Sequence, residues 1–331
     1  MSDIISRRGV LKGAAAAGAA GLIVNPARAQ ANWPARPITM ICPWGAGGGT
    51  DATARIVAQL LERDLGQPVN VVNRTGGSGV VGHSAIATAA PDGYTIGMLT
   101  VEISMMHHQG LTDLKSTNYA PLGLMNEDPP GVQVSASSPY KDIKALAEAI
   151  KAAPAGKLKA SGTGQGGIWH LALIGWLVAM GLKPDHVAWV PSNGAAPGMQ
   201  DLAAGGIDIV TCSVPEARAM IDAGKAKSLA IMATERNPQF KDVPTLNETL
   251  GINYSVGAWR GIGAPKGVPA DIQAKITAAL KKAFDSKDYQ DFMNARGFGM
   301  KFADGPGFGK FMEEGDKAMA SAMKAAGLSK A

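Results

Sequence analysis

The chain has 331 residues, 46% hydrophobic and 18% charged, which is too apolar for a disordered polymer and ample for packed cores. Of its formal charge of +5, the larger part is carried by the first 29 residues. Without Arg7, Arg8, Lys12, Arg28 and Asp3, the rest holds 28 basic and 26 acidic residues, a balance of +2 that leaves no electrostatic footprint for nucleic acid.

The amino terminus reads as an export signal over residues 1–29. Ser6-Arg7-Arg8-Gly9-Val10-Leu11-Lys12 has the order of a twin-arginine motif, with Val10 where an aromatic is commoner. An Ala/Gly-rich apolar stretch, 13–24, follows and ends at the small-x-small site Ala27-Arg28-Ala29. That stretch is too short and too rich in Gly and Ala for a membrane span. The expectation is a periplasmic protein exported by the twin-arginine route.

An apolar strand is predicted at 38–42, and a helix with Ile56, Val57, Leu60 and Leu61 on one face is predicted over 51–64. Between them lies Pro43-Trp44-Gly45-Ala46-Gly47-Gly48-Gly49-Thr50-Asp51. A glycine-rich turn leading into a helix presents free N–H groups at the positive end of the helix dipole, which makes an anion seat. No Lys follows the glycines, so the nucleoside-triphosphate loop is absent, and a carboxylate is the simplest anion. Asp51, a first-turn acid favoured by the dipole, is expected to pin the loop, and it is placed to receive an ammonium group if the ligand is an amino acid. Trp44 reads either as a core anchor or as a ring stacking on a ligand.

A strand at 69–73 leads to a second glycine loop, Gly77-Ser78-Gly79-Val80-Val81-Gly82, and further strands are predicted at 94–99 and 131–135. The next predicted helix carries Ile143, Leu146 and Ile150 on one face. A strand at 158–161 precedes a third loop, Gly162-Thr163-Gly164-Gln165-Gly166-Gly167, and a helix from Trp169. Strands at 187–190, 207–212 and 228–233 follow, with a turn at Ser192-Asn193-Gly194 and a helix beginning near Ala270. Alternating strands and helices predict an α/β fold with parallel sheets. Two loops match the dinucleotide pattern G-x-G-x-x-G, one in each half. Two sheets offering helix N-termini to one cleft account for that distribution better than a single nucleotide-binding domain.

Cys42 and Cys212 each sit in an apolar run and read as buried free thiols. The five histidines, His83, His107, His108, His170 and His186, show no metal-ligand spacing, so no metal is expected. His170 reads as structural, at a helix start. His107 and His108 are positioned to line a cleft mouth. Ser78 has neither the G-x-S-x-G context nor placed partners for a nucleophile. Arg74 and Arg260 are candidate cations, with structural ion pairing the commoner role.

The chain resembles the periplasmic receptors of tripartite tricarboxylate transporters, the Bug receptors, over nearly all of its length beyond the signal. The resemblance rests on Trp33-Pro34-Ala35-Arg36-Pro37-Ile38, the glycine loop ending at Thr50-Asp51, and Leu65-Gly66-Gln67-Pro68-Val69 leading to Asn73-Arg74. It continues through Pro91-Asp92-Gly93-Tyr94-Thr95, His170-Leu171-Ala172, Ala223-Gly224-Lys225, Glu235-Arg236, Asp242-Val243-Pro244-Thr245 and Ala264-Pro265-Lys266-Gly267-Val268-Pro269. Ala46, Trp44 and Thr75 depart from the usual Pro, Phe and Pro. Trp259-Arg260-Gly261 looks closer to the tricarboxylate branch.

The resemblance implies a two-lobed, type II periplasmic-binding fold with a ligand cleft, divided into lobe I (32–125 and 257–331) and lobe II (126–256). It implies no catalysis and no cofactor. The implied partners are a small carboxylate, di- or tricarboxylic or aromatic, and the membrane permease subunits, with the receptor itself monomeric. Carried over by position, the ligand-binding residues are Trp44, Gly45, Ala46, Gly47, Gly48, Thr50 and Asp51 in the first loop, Gly77, Ser78 and Gly79 in the second, and Thr100. The second lobe contributes Ser161, Thr163, Gly164, Gln165, Ser192, Asn193, Gly194 and Ala195. Bulk at Gly48 or Gly79 is expected to abolish binding and leave the fold intact. Two other readings compete. One is an exported NAD(P)-dependent oxidoreductase using the loop at 77–82, with Glu102 at the spacing of a ribose-binding acid. The other is a carboxylate sensor without a transport role.

Overall fold

The computed structural model describes residues 33–330, so the export-signal reading of 1–29 lies outside the described residues. The body begins at Arg36. Its strands are β1 (Ile38–Cys42), β2 (Val69–Asn73), β3 (Thr95–Thr100), β4 (Tyr119–Asp128), β5 (Gly131–Ser135), β6 (Lys159–Ser161), β7 (Ala188–Trp189), β8 (Ile209–Val210), β9 (Ala226–Ile231), β10 (Ala258–Pro265) and β11 (Met300–Asp304). The helices are α1 (Gly49–Leu65), α2 (Val80–Ala87), α3 (Ile143–Ala152), α4 (Ile168–Ala179), α5 (Ala195–Ala203), α6 (Val214–Asp222), α7 (Leu246–Leu250), α8 (Ala270–Asp285), α9 (Lys287–Arg296) and α10 (Gly305–Ala325).

The strands form two sheets, ordered β11-β4-β10-β3-β1-β2 and β7-β6-β8-β5-β9. Position in the sheet explains composition. Four of the five residues of β1, in the sheet interior, are buried, whereas β2 at the edge alternates buried Val69 with exposed Asn70 and Val72. In α1 the predicted face of Ile56, Val57, Leu60 and Leu61 is buried, and Gly66, at φ 71°, caps its end with an N–H donated to the Glu62 carbonyl. Helix α4 is apolar nearly all round because it is enclosed, with Trp176 wholly buried in the second core beside Val132, Leu146 and Ile209. The first core gathers Leu99, Ile103, Tyr119, Phe308 and Met312 and continues through Ile168 and Trp169 of α4.

The sheets are mixed, which corrects the expectation of parallel ones. Strands β1, β2 and β3 are parallel neighbours, but β10 runs antiparallel to both β3 and β4, and β11 antiparallel to β4. In the second sheet β5 is antiparallel to β8 and β9. The cause is that the chain crosses between sheets twice. It leaves the first sheet at Asp128, enters the second at Gly131, and returns as β10 from Ala258. The returning strand inserts beside its departure strand, with Arg260 opposite Thr100 on one side and Asn126 on the other.

Strands β4, β10 and β11 are absent from the predicted set. Gly261 and Gly263 dilute the apolar signal of β10, yet both are needed for packing. A Cβ at Gly261 would stand 2.4 Å from Phe308 Cζ, and one at Gly263 2.3 Å from Leu99 Cδ1.

Cys42 and Cys212 are free and buried, as the sequence suggests. Burial pushes the Cys42 thiol up to about 12 and raises that of Cys212 well above its usual value.

Candidate functional site

The first glycine loop carries the chain from β1 into α1 through Gly48, an N-cap residue with no side-chain cap of its own. Its tip, Ala46 and Gly47, is exposed, while Gly48, Gly49 and Thr50 are buried. Asp51 braces the loop. It accepts the Gly47 N–H at 3.0 Å, Asn73 Nδ2 at 2.9 Å and a two-pronged contact from Arg55, with 2.9 Å from both Nε and Nη2. Burial pushes the Asp51 carboxyl upward, but these donors together hold it below the ordinary carboxylate range. Asp51 therefore shapes the loop and does not line the cavity behind it.

That cavity lies between the two sheets. Its wall includes Trp44, Gly45, Gly48, Gly49, Thr50 and Thr100 from the first half, and Thr163, Ile168, Trp169, Gly194, Ala195 and Glu216 from the second. Val101, Glu102, Ala258, Trp259 and Arg260 complete it. Its volume is about 20 Å³, measured as the space open to the centre of a water molecule. That is room for about one water.

Two carboxylates reach into it, each on a helix N-terminus. Glu216 Oε1 accepts the Gly49 N–H, the first amide of α1, at 3.0 Å. Glu102 Oε1 accepts the Ile168 N–H, the first of α4, at 3.2 Å. Burial raises the Glu102 carboxyl above the usual range, although hydrogen bonds from Thr100 Oγ1 and Ile168 N–H oppose the shift. Arg260 supplies the facing cation. Its Nη2 donates to Glu216 Oε1 at 3.1 Å, its Nη1 to Asp128 Oδ2 at 2.6 Å and to Asn126, and its Nε to Thr50 Oγ1 at 3.1 Å. It is 3% exposed, so it is held by partners and not by water. Arg74, the other arginine singled out, is exposed.

Behind this wall two histidines are neutral. His83 Nδ1 lies 2.8 Å from the Gly79 carbonyl and donates to it, leaving Nε2 to accept the Thr100 N–H at 3.3 Å. Burial lowers its pKa to about 4. His170 Nδ1 accepts the Gly166 N–H at 3.0 Å, the ring stacks on Trp189, and burial again brings its pKa to about 4. Its role is structural, as expected.

Of the residues carried over by resemblance, Trp44, Gly45, Gly48, Thr50, Thr100, Thr163, Gly194 and Ala195 share the cavity wall. The others form a surrounding frame. Gly45 N–H donates to the Asn193 carbonyl at 2.8 Å, and Ser78 Oγ to the Gln165 carbonyl at 2.9 Å, so the loops of the two halves touch directly. Ser161 Oγ donates to the Val190 carbonyl and Ser192 Oγ to that of Gly194, both shaping second-half turns. Gly77, Gly79 and Gly164 allow close backbone approach. A Cβ at Gly164 would meet Ser78 Oγ at 2.4 Å, and Ser78 itself has φ 55°. Trp44 is buried, lines the cavity and donates from Nε1 to Thr100 Oγ1 at 3.3 Å.

Gly79 is a poor site for added bulk. Its φ of 95° and a Cβ contact of 3.2 Å with His83 Nδ1 would strain the fold, which corrects the expectation of an intact fold there. Gly48 has no positive φ, and its Cβ would meet nothing nearer than the Gly45 carbonyl at 3.5 Å.

Residues missed by sequence reasoning are Val101, Ile168, Trp169, Glu216, Ala258 and Trp259. Glu216 carried a readable signal, since Ser213 and Glu216 form a capping box for α6, but nothing local placed that box on α1. Glu102 and Arg260 were noticed for other reasons. The G-x-G-x-x-G loop at 77–82 follows β2, the edge strand, and its last glycine serves packing, since a Cβ at Gly82 would lie 2.5 Å from Pro43 Cα.

Comparison with known proteins gives the family and agrees with the fold. Residues 53–328 match the family described as "Tripartite tricarboxylate transporter family receptor". The chain is 30% identical to BugT of Bordetella pertussis (strain Tohama I) over 274 residues, 80% of this chain and 81% of that one. It superposes on Rpa4515 of R. palustris, solved with adipate, at a TM-score of 0.84 and 25% identity, covering 90% of this chain and 99% of that one. MatC of Rhodopseudomonas palustris, solved with malate, gives a TM-score of 0.79 at 26% identity, covering 88% and 99%.

Proposed function

This chain belongs to the receptor family of tripartite tricarboxylate transporters, and from that premise we propose that it captures a malate- to adipate-sized dicarboxylate and delivers it to the membrane subunits of such a transporter. The observation that carries the reading is the pair of carboxylate-on-amide contacts in the cavity. The N-termini of α1 and α4 each hold a carboxylate oxygen, Glu216 on Gly49 and Glu102 on Ile168, with Arg260 beside the first. These amides are therefore anion seats of the right chemistry for both ends of a dicarboxylate.

The cavity as it stands has room for about one water, so uptake requires the two halves to part. Parting breaks the contacts of Gly45 with Asn193, Ser78 with Gln165, and Gln109 Nε2 with the Gly166 carbonyl. The two strand crossovers, after Asp128 and before Ala258, are the natural hinge. A ligand carboxylate then takes the amide that Glu216 vacates, and reclosure buries it. The quantity that matters for delivery is the ligand's preference for the closed form over the open one. No helix of the described residues is long and apolar enough to cross a membrane.

The test is a thermal-shift and calorimetric screen against malate, adipate, citrate, aromatic acids, amino acids and NAD(P). A ligand at about 100 times its Kd stabilises by about 2.7 kcal/mol. A shift with dicarboxylates that is lost in Gly48→Val, a change in the cavity wall at a residue whose Cβ meets nothing nearer than the Gly45 carbonyl at 3.5 Å, is the expected result. A shift with NAD(P) alone would overturn the receptor reading. Uptake of the same acid by cells with and without the gene then separates transport from sensing.

A further inference from the structure

Away from the cavity, three side chains converge on one point. His107 and His108 follow the 3-10 turn Val101–Ser104, and Asp316 lies in α10, which packs against that turn. His107 Nε2 stands 3.0 Å from Asp316 Oδ1 and His108 Nε2 3.5 Å from the same oxygen. All three ligand atoms lie within 4.8 Å of one another.

With both rings neutral, hydrogen bonding does not satisfy the His107 contact. His107 Nδ1 faces the Ile103 carbonyl at 3.2 Å, and a carbonyl only accepts, so that nitrogen carries the proton. In the neutral ring Nε2 is then a lone pair aimed at a carboxylate oxygen, acceptor against acceptor. His108 Nε2 is shut off from solvent and makes no hydrogen bond, although it points at the same oxygen. The two rings lie 3.9 Å apart, centroid to centroid, where two imidazolium charges would repel. A neutral His108 can turn an Nε2–H toward Asp316, but His107, whose single proton is on Nδ1, leaves a lone pair against the carboxylate. A divalent cation engages both ring nitrogens and the carboxylate at once.

We propose that His107, His108 and Asp316 form a binding site for a divalent transition-metal ion of the Zn²⁺ class, with water as the fourth ligand. Three observations support the assignment. The two nitrogen–oxygen distances bracket the edge of about 3.3 Å that a tetrahedron with bonds near 2.0–2.1 Å requires. The Nδ1–H to carbonyl contact of His107 is the outer hydrogen bond that orients metal-ligating imidazoles. Two imidazoles with one carboxylate suit Zn²⁺ and its neighbours and disfavour Ca²⁺ or Mg²⁺, which prefer oxygen. The main chain of His108 is itself fixed, its carbonyl accepting the Lys330 N–H at 2.9 Å and Ser329 Oγ at 3.4 Å. A bound ion would thus tie α10 and the carboxyl-terminal residues to the turn whose first two residues, Val101 and Glu102, line the cavity.

The experiment is calorimetric titration of ZnCl₂ into the full chain, purified without a polyhistidine tag and stripped with EDTA, in a non-coordinating buffer. The expected result is one ion per chain with a Kd on the order of micromolar or tighter. His108→Ala and Asp316→Asn should each weaken binding by at least about tenfold. His186→Ala, which removes a histidine bonded to the Ile150 carbonyl, should leave it unchanged. Circular dichroism verifies that each variant is folded, and Asp316→Asn keeps the volume of the original side chain. Replacing Zn²⁺ by Co²⁺ should give visible bands of four-coordinate intensity that both ligand variants lose. Absence of one-to-one binding, or unchanged binding in both ligand variants, would overturn the assignment.

Discussion

Glu216 occupies, from the second half of the molecule, the first amide of α1. The Gly49 N–H donates to its Oε1 at 3.0 Å, and the same oxygen accepts Arg260 Nη2 at 3.1 Å. Its other oxygen accepts the Ser213 N–H and Oγ at the start of α6. One side chain therefore caps its own helix and fills the anion seat of another. A ligand carboxylate entering that seat competes with Glu216, and the apparent affinity is reduced by the fraction of molecules in which Glu216 holds it. Glu216→Gln, which removes the charge and retains the size, should tighten dicarboxylate binding by about fivefold to tenfold. Calorimetry on both proteins decides the matter. A variant binding tenfold more weakly would mean that Glu216 orients the seat and does not compete for it.

Arg260 is the positive centre of a buried cluster with Asp128 and Glu216. Removing one partner of a buried ion pair strands the others, at a cost of about 3–5 kcal/mol. Asp128 moderates that cost. Burial raises its carboxyl above the usual range even with Arg260 present, so it readily takes up a proton when the guanidinium is gone. Arg260→Met should lower the urea unfolding free energy by about 3 kcal/mol. Adding Asp128→Asn should recover part of the loss, since the second change removes the stranded charge. Additive losses in the double variant would show that the two residues are not coupled.

This cluster also marks where sequence reading stops. The run at 38–42, the glycines after it and the helical face of Ile56 and Leu60 are local patterns, and they were legible because strand and helix periods act over a few residues. Strand β4 was not, because Pro121, Gly123 and a polar end at Asn126, Glu127 and Asp128 interrupt its pattern. Those polar residues have a purpose only once β10 returns beside them, when Asn126 and Asp128 become partners of Arg260. Likewise Glu102 stood at a spacing that suggested ribose recognition, and only the fold puts it on the Ile168 amide. The loops of the site were readable from glycine content, whereas its charges depend on contacts between residues far apart in sequence.

His83 and His170 are buried and neutral, each with a pKa lowered to about 4 by burial. Above the unfolded value near 6.5 neither state is protonated, so the histidines are silent there. Below it the unfolded chain binds the protons and the native state does not, so stability falls as pH drops from about 6.5 to about 4. At about pH 5 the loss is about 2 kcal/mol per histidine. Glu102 and Asp128, whose carboxyls are raised, act with the opposite sign and flatten the total curve. The comparison with His83→Gln isolates the histidine term. The destabilisation caused by that substitution should shrink by about 2 kcal/mol between pH 7.5 and pH 5 in urea titrations. A constant difference would show that His83 is protonated in the folded state.

Glu102 places a second carboxyl group in the cavity that a dicarboxylate must share. Its carboxyl is raised by burial, so protonation as pH falls removes a repulsion from the bound anion. Affinity for a dicarboxylate should therefore increase as pH falls in the wild-type protein. Glu102→Gln imitates the protonated form. Its amide oxygen can keep the Ile168 N–H, and its amide nitrogen can face Thr100 Oγ1, so the fold should be retained. Two like charges about 4 Å apart at an effective dielectric of 20 repel by about 4 kcal/mol, an upper bound for this site. At a pH where Glu102 is ionised, the variant should bind at least about fivefold more tightly than the wild type, with the pH dependence abolished. Calorimetry across the pH range reads both effects. Weaker binding by Glu102→Gln would instead mean that the carboxylate receives a donor from the ligand, and the substrate would then carry an amine or hydroxyl beside its acid groups.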